Sequence, residues 1–288
     1  MGSFSILNNI AGLNAQNQLT VNNVNLGRTL QRLSSGKRIN SGADDAAGLQ
    51  IADSLRANIQ ALDQATRNAN DGIGVAQIAD GALQEITNIL TRSISLAEEA
   101  STGTVDSTGR SSLNAEFVQI QAEIARIATQ TNFNGVALFT TAGINGSLSV
   151  FVGDTFAASS ISVTINTITV NGAGTSVTSL GGVDLSTLTL TTQTGAVSAL
   201  SVIHSALAGV SANRGTIGSG INRLQAAVAV MQTQSQNSQA AESTIRDANV
   251  AQEISNLTKY QILAQSGIAA LAQANANSQL ILSLFKTV

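Results

Sequence analysis

The sequence predicts a mainly α chain with a small β region: an elongated α-helical coiled-coil bundle plus β-hairpins, with the N- and C-terminal helices paired. Three observations carry this. Apolar or small residues recur at alternating steps of three and four through Ala52, Leu55, Ile59, Leu62, Thr66, Ala69, Ile73, Ala76, Asp80, Leu83, Thr87, Leu90, Ile94 and Ala97, a coiled-coil period held over many heptads. The same arithmetic runs through Val250, Ile254, Leu257, Gln261, Ala264, Ile268, Leu271, Asn275, Ser278, Leu282 and Phe285. Between these stretches the composition changes, because residues 139–200 carry no Lys or Arg and 2 Asp or Glu, against 9 and 12 in residues 1–138 and 5 and 3 in residues 201–288.

From the amino end, Ile6, Ile10 and Leu13, then Val21 and Val24, make one stripe interrupted by Asn17, and Leu19, Leu26, Leu30 and Leu33 make a neighbouring one. Residues 3–35 are therefore helix-competent. Gly36 can end that helix and Ser41 can cap the next, with Asp44 and Asp45 in its first turn, where carboxylates suit the helix dipole. The second helix is expected over 43–100. It would be about 87 Å long at 1.5 Å per residue, whereas a globule of this length has a gyration radius near ~19 Å. Gly72, Gly74 and Gly81 each weaken it by about 1 kcal/mol against Ala, so a kink near them competes with an unbroken helix. A third helix is expected from Ser111 to about Gln130. Alternation in Ser147–Val150 and Ile161–Ile165 predicts short strands, Asn145-Gly146 is a hairpin signal, and Gly172, Gly174, Gly181, Gly182 and Gly195 mark turns. Helices over about 202–236 and from Val250 onward complete the chain.

Composition excludes several kinds of chemistry. Only 11% of the 288 residues are charged, with Lys+Arg 14 against Asp+Glu 17, too few cations for a phosphate-binding patch, so no nucleic-acid partner is expected. Cys 0 and His 1 remove cysteine nucleophiles and imidazole metal clusters. His204 has no Ser/Asp or HExxH companions, and Gly72-Ile73-Gly74 has Gln77 where a dinucleotide loop needs glycine. No enzyme activity, metal or cofactor is expected. The first positive charge is Arg28, so no basic signal-peptide region is present, and no run of about 18 apolar residues could span a membrane.

Residues 1–27 and 261–285 contain no ionisable side chain. Ordering the amino arm costs roughly 1–2 kcal/mol per residue, while burying Phe4, Ile6, Leu7, Ile10, Leu13, Leu19, Val21, Val24 and Leu26 returns at most ~2 kcal/mol each. Two readings follow. In one, the arms gain their order from copies of the same chain; in the other, they form an antiparallel pair within a monomer.

The residues themselves resemble a known family. SFSILNNIAGLNAQNQL, LQRLSSGKRINSGADDAAGLQIADSLR, NANDGIGVAQIADGALQEI and QTNFNG in the first half, then GINRLQAAV and AESTIRDANVAQEISNLTKYQILAQSGIAALAQAN in the second, are similar to the two signature regions of bacterial flagellins. The resemblance implies a structural subunit that polymerises into the helical flagellar filament used for swimming, with a hook-filament junction protein of the same superfamily as the alternative. It implies an inner core domain from residues 1–42 and 249–288, whose helices pair around a narrow export channel, and an outer domain from 43–248 with its β-rich segment at about 133–200. Large inserted domains are expected to be absent. Implied partners are further copies of the chain, the flagellar export apparatus, an export chaperone, the filament cap and an innate immune receptor. The implied location is the extracellular flagellum, reached without a cleaved signal peptide. Ile6, Ile10, Leu13, Val24, Ile254, Leu257, Ile268, Leu271, Leu282 and Phe285 are the side chains expected to carry self-assembly. Arg92, Leu96 and Glu116 align with the family's receptor-contacting patch, and subunit packing is the competing role for them. Where the family usually has a proline before its last apolar residues, this chain reads Asn277-Ser278-Gln279, so a straighter final helix is expected.

Overall fold

The computed structural model describes residues 9–140, 143–153, 159–170 and 177–286, the side chains of Ser278 and of residues 280–286 excepted. The described residues form helices α1 (Ile10–Ser35), α2 (Ala46–Ser101), α3 (Ser107–Gln130), α4 (Gln193–Arg246) and α5 (Val250–Lys286). Strands β1 (Asn132–Phe133) and β2 (Val136–Ala137), β3 (Ser147–Phe151) and β4 (Ser160–Thr164), and β5 (Thr169–Val170) and β6 (Val177–Ser179) make three antiparallel pairs. The chain divides into two compact units, residues 1–57 with 237–288, and residues 58–236.

In the first unit α1 and α5 lie antiparallel. Asn9 Nδ2 donates to the Ala274 carbonyl at 3.2 Å, Leu19 packs on Gly267, and Arg32 reaches Glu253. The two terminal helices thus pair within the chain. Gly36 ends α1 at φ +69°, a left-handed position that glycine fills without a Cβ penalty. Beyond it the two interhelix links join by backbone: the Arg38 N–H donates to the Arg246 carbonyl at 2.6 Å and the Ala248 N–H to the Gly36 carbonyl at 2.9 Å. Ser41 does not cap α2. Its amide and hydroxyl donate instead to Asp44 Oδ2, closing a turn, and the cap passes to Asp45, whose Oδ1 accepts from the Gly48 N–H at 2.9 Å. The final helix runs past Asn277 without interruption.

In the second unit α2 continues unbroken past Gly72, Gly74 and Gly81. Gly72 has a packing reason, since a Cβ there would lie 2.5 Å from Val150 Cγ2. Ala52, Ile59 and Leu62 of α2 are buried as expected, and from Thr66 onward the buried line differs from the expected one at every second position. Ala69, Ala76, Leu83, Leu90 and Ala97 are buried as expected, but the alternating members are Ala65, Gly72, Ala79, Ile86 and Ser93, each one residue before Thr66, Ile73, Asp80, Thr87 and Ile94, and Ala100 continues the line. Small side chains at the true positions let α2 approach its neighbours closely. Helix α3 begins earlier than expected because Asp106 accepts from the Gly109 N–H and caps it. Helix α4 also outruns its expected span at both ends. One 18-residue window of α4 has a mean hydropathy of 1.5, enough by composition for a membrane helix. Along α4, Ala199, Ile203, Ala206, Val210, Asn213, Ile217, Gly220 and Leu224 are buried at steps of three and four.

The hairpin β3–β4 sits on this helical layer. Its register pairs Leu148 with Val163 and Val150 with Ile161, so these four share one face while the intervening serines point outward. Val150 fits against Gly72 of α2, and Val163 against Gly220 of α4, where a Cβ would come within 2.7 Å. Asn145-Gly146 turns the chain into β3 at φ 47° and 81° but joins no two strands. The two-residue hairpin is instead Asn134-Gly135, between β1 and β2, with φ 50° and 80°. Both residues at positive φ match the turn that follows strand twist. Gly172 and Gly174 lie outside the described residues. Amide side chains suture the irregular stretch to the helices: Gln121 Nε2 donates to the Leu185 carbonyl, Asn114 Oδ1 accepts from the Leu190 N–H, and Asn213 Oδ1 from the Asn166 N–H.

Candidate self-assembly surface

Helix α1 carries two faces. Gly12, Ala15, Leu19, Asn22, Leu26, Thr29 and Leu33 are buried or half-buried at alternating steps of three and four, and this seam lies along α5. Ile10, Leu13, Val21 and Val24 are 63%, 54%, 54% and 49% exposed. At about 100° per residue they lie opposite the seam, so the intrachain pair cannot cover them. Only Gly12 and Thr29 of α1 are fully buried among the described residues, so the helix docks without a single fully buried large apolar side chain.

Helix α5 repeats the arrangement. Its seam is Glu253, Leu257, Tyr260, Ala264, Gly267, Leu271 and Ala274, all buried or half-buried. Val250, Ile254 and Ile268 flank it, and Ile262 faces away; all four remain about half exposed or more. Of the side chains expected to carry assembly, Leu257 and Leu271 thus face α1 within the chain. Ile10, Leu13, Val24, Ile254 and Ile268 are open. Ile6 lies outside the described residues, as do the side chains of Leu282 and Phe285. Single exposed apolar residues are ordinary, but a row of them repeated along a helix face is the kind of feature that marks an interaction site.

The charged residues of this unit gather at the other end of the pair. Arg32 lies between Asp44, at 3.8 Å, and Glu253, at 3.6 Å, while Arg246 lies between Asp53, at 3.3 Å, and Glu242, at 3.7 Å. Within the chain Asp44 lies beside Arg32, while the Arg38 guanidinium donates to the Ile245 carbonyl. Hydrogen bonds from the Asn40 amide, and then from the Ser41 amide and hydroxyl, hold the Asp44 carboxyl below its usual range, with Arg32 adding to the effect.

In the second unit Arg92 and Glu116 pair with each other, Nη2 to Oε1 at 2.7 Å, with both side chains about half exposed. Leu96 is 1% exposed and belongs to the core, so it does not offer a surface contact beside Arg92; heptad packing turns it inward. Sequence reasoning missed the Asp80–Arg214 pair, Nε to Oδ1 at 2.8 Å, since nothing in the spacing links α2 to α4. His204 is exposed on α4. Among the described residues no three His, Cys, Asp or Glu side chains cluster to hold a metal ion.

The family model described as the bacterial flagellin N-terminal helical region matches residues 6–144, and that described as the bacterial flagellin C-terminal helical region matches residues 200–285. Flagellin FlaB1 of Treponema pallidum is 37% identical over 98% of this chain and 99% of its own. A flagellin of Halalkalibacterium halodurans is 37% identical over the same shares. The flagellar filament 31.3 kDa core protein of Treponema maltophilum is 34% identical, again over 98% and 99%.

Proposed function

The chain belongs to the bacterial flagellin family as a structural subunit that polymerises into the extracellular flagellar filament, and from that premise we propose that Ile10, Leu13 and Val24 of α1 with Ile254 and Ile268 of α5 are its contact surface for the next copy. The observation that supports this is the row of α1 apolar residues opposite the α5 seam. A surface that differs from the one it meets generates an open array rather than a closed ring. Leu257 and Leu271 act one step back, by holding α5 on α1. Ile6, Leu282 and Phe285 continue the same apolar periodicity in the sequence.

In this reading residues 1–42 and 249–288 form the inner core of the filament and 43–248 its outer layer. The charge-free tails suit a wall around an export channel, since neutral Asn, Gln, Ser and Thr offer a passing chain no fixed charge. Delivery would run through the flagellar export apparatus with an export chaperone and a filament cap, without a cleaved signal peptide. The role is structural rather than catalytic. An innate receptor would find the Arg92–Glu116 pair accessible, with Leu96 supporting it from beneath. The relatives named above are flagellins and a filament core protein, which favours the filament subunit over a junction protein. Seeded polymerisation of purified protein tests the reading: long filaments are expected, and oligomers that stop growing under seeding would overturn it.

A further inference from the structure

The second unit holds two Asn-Gly steps among its described residues, and both are wound into left-handed backbone. Asn134 and Gly135 have φ 50° and 80°, and Asn145 and Gly146 have φ 47° and 81°. A third step, Asn171-Gly172, lies outside the described residues. Asparagine is a chemically labile side chain, most of all before glycine, because the following amide nitrogen can then reach the side-chain carbonyl carbon with no Cβ in the way. That attack needs the nitrogen on the same side of the Cα–C bond as the asparagine Cβ. In the left-handed well, with ψ at about +30 to +60°, the nitrogen points the opposite way. Each turn, while closed, therefore shields its own asparagine.

The two shields differ in what backs them. Asn145 is held on both sides: the Ser147 N–H donates to the Ile144 carbonyl and the Ile165 N–H to the Gly146 carbonyl, each at 3.1 Å. Ile144 packs against the core, and the turn runs straight into the five-pair β3–β4 ladder, which is seated through buried Val150 and Val163. Asn134 sits on a ladder of two pairs, Asn132 with Ala137 and Phe133 with Val136. Residues 132–136 are all exposed, and the apolar ones, Phe133 and Val136, are 40% and 47% open. A short two-stranded hairpin is marginal by itself, and opening this tip uncovers no buried side chain, so it belongs to the low-stability end of the fold.

We propose that Asn134 is a self-modification site, converted to aspartate or isoaspartate whenever the β1–β2 tip opens. The Gly135 amide nitrogen gives up its proton and bonds to Asn134 Cγ; the bond from Cγ to the side-chain nitrogen breaks, and ammonia leaves with that proton. Water then opens the cyclic imide at either carbonyl. In sum, asparagine and water become a carboxylate and an ammonium ion, with nothing oxidised or reduced. Opening on one side routes the backbone through Cβ, which adds a carbon to a turn built for two residues and prevents the old register from re-forming. Either product puts a negative charge on the groove that Asn134 lines with Asn68 and Asp71 of α2, so repulsion from Asp71 also disfavours reclosure. The conversion is one-way and counts the openings of one hairpin.

The test incubates the full folded chain in mildly alkaline heavy-oxygen water, then reads each Asn-Gly peptide by mass spectrometry. The heavy oxygen marks conversions made before digestion. The Asn134 peptide is expected to take up label about tenfold faster than the Asn145 peptide, the scale of the extra hydrogen bonds that hold the second turn. Equal rates, a faster Asn145 or no label at Asn134 would overturn the proposal. The same incubation in denaturant removes both shields, and the two rates should converge there. A preference for Asn134 that persists in denaturant would assign it to the flanking residues and overturn the structural argument.

Discussion

Replacing Leu13 and Val24 together by alanine should leave the free chain folded while weakening its polymerisation. Both residues lie on the face of α1 turned away from α5, with 54% and 49% of their surface open. Complete burial of a leucine or valine side chain contributes about 2 kcal/mol, so the half still open has about 1 kcal/mol left to give when a second copy covers it. The pair therefore supplies about 2 kcal/mol per subunit added. At 1.4 kcal/mol per factor of ten, the critical concentration should rise about 30-fold. Alanine is the better helix former, so α1 itself is not weakened. Sedimentation after seeded growth reads the soluble concentration that remains, and far-ultraviolet circular dichroism of the unseeded protein reads the helix content. A critical concentration within about threefold of wild type would refute the assignment of this face, and a parallel loss of helix content would show that the residues hold the monomer together instead.

Other expectations concern the fold. Gly220→Ala forces a Cβ to within 2.7 Å of Val163 Cγ1 and should destabilise the second unit by about 1–3 kcal/mol, read as a lower denaturant midpoint; Gly215→Ala, whose Cβ meets nothing within 4 Å, should stabilise it by up to about 1 kcal/mol. Asp45→Ala removes the α2 cap and should cost about 1 kcal/mol of stability, measured the same way. Acid should act through Asp44. Its carboxyl titrates below the ordinary range in the folded chain, so its stabilising contribution is complete above the unfolded-state pKa of about 3.9 and disappears as pH falls through the folded value. Asp44→Asn should flatten the stability profile in that window, and a profile that still falls as steeply in the variant would place the acid sensitivity elsewhere.

The helices were legible in the sequence because period is a property of the whole stretch, and turns such as Gly36 announce themselves by what only glycine can do. Ends were less legible, because a cap is a contest between neighbours: Ser41, Asp44 and Asp45 all qualify, and the hydrogen bonds from Ser41 to Asp44 decide it in favour of Asp45. Pairs across elements, such as Asp80 with Arg214 or Asn114 with Leu190, leave no mark in local spacing.

The instructive departure is the repeated shift by one residue in the seams. In α5 the scan for apolar periodicity selects Ile254 and Ile268, whereas the chain packs on Glu253, Tyr260, Gly267 and Ala274. Periodicity scanning assumes that the largest apolar residues face the interior. That holds for a monomer, whose only apolar surroundings are its own core. A chain with a second apolar environment can reserve its bulky residues for it and use small ones inside, where close approach of two helices favours Gly and Ala. Helix α1 obeys the same logic, with Gly12, Ala15, Asn22 and Thr29 among its inward residues and Ile10, Leu13, Val21 and Val24 outward. In the second unit the shift on α2 has a different outcome, because Gly72, Ala79 and Ala100 are buried within the chain itself, Gly72 beneath Val150. There the residues displaced from the seam, Thr66, Ile73, Asp80, Thr87 and Ile94, are half-buried, and Ile73 and Ile94 still pack against the core. On α1 and α5 the residues displaced from the seam are bulky, apolar and about half exposed or more, whereas those displaced on α2 are half-buried, and that asymmetry is what the proposed interface at the two ends of the chain rests on.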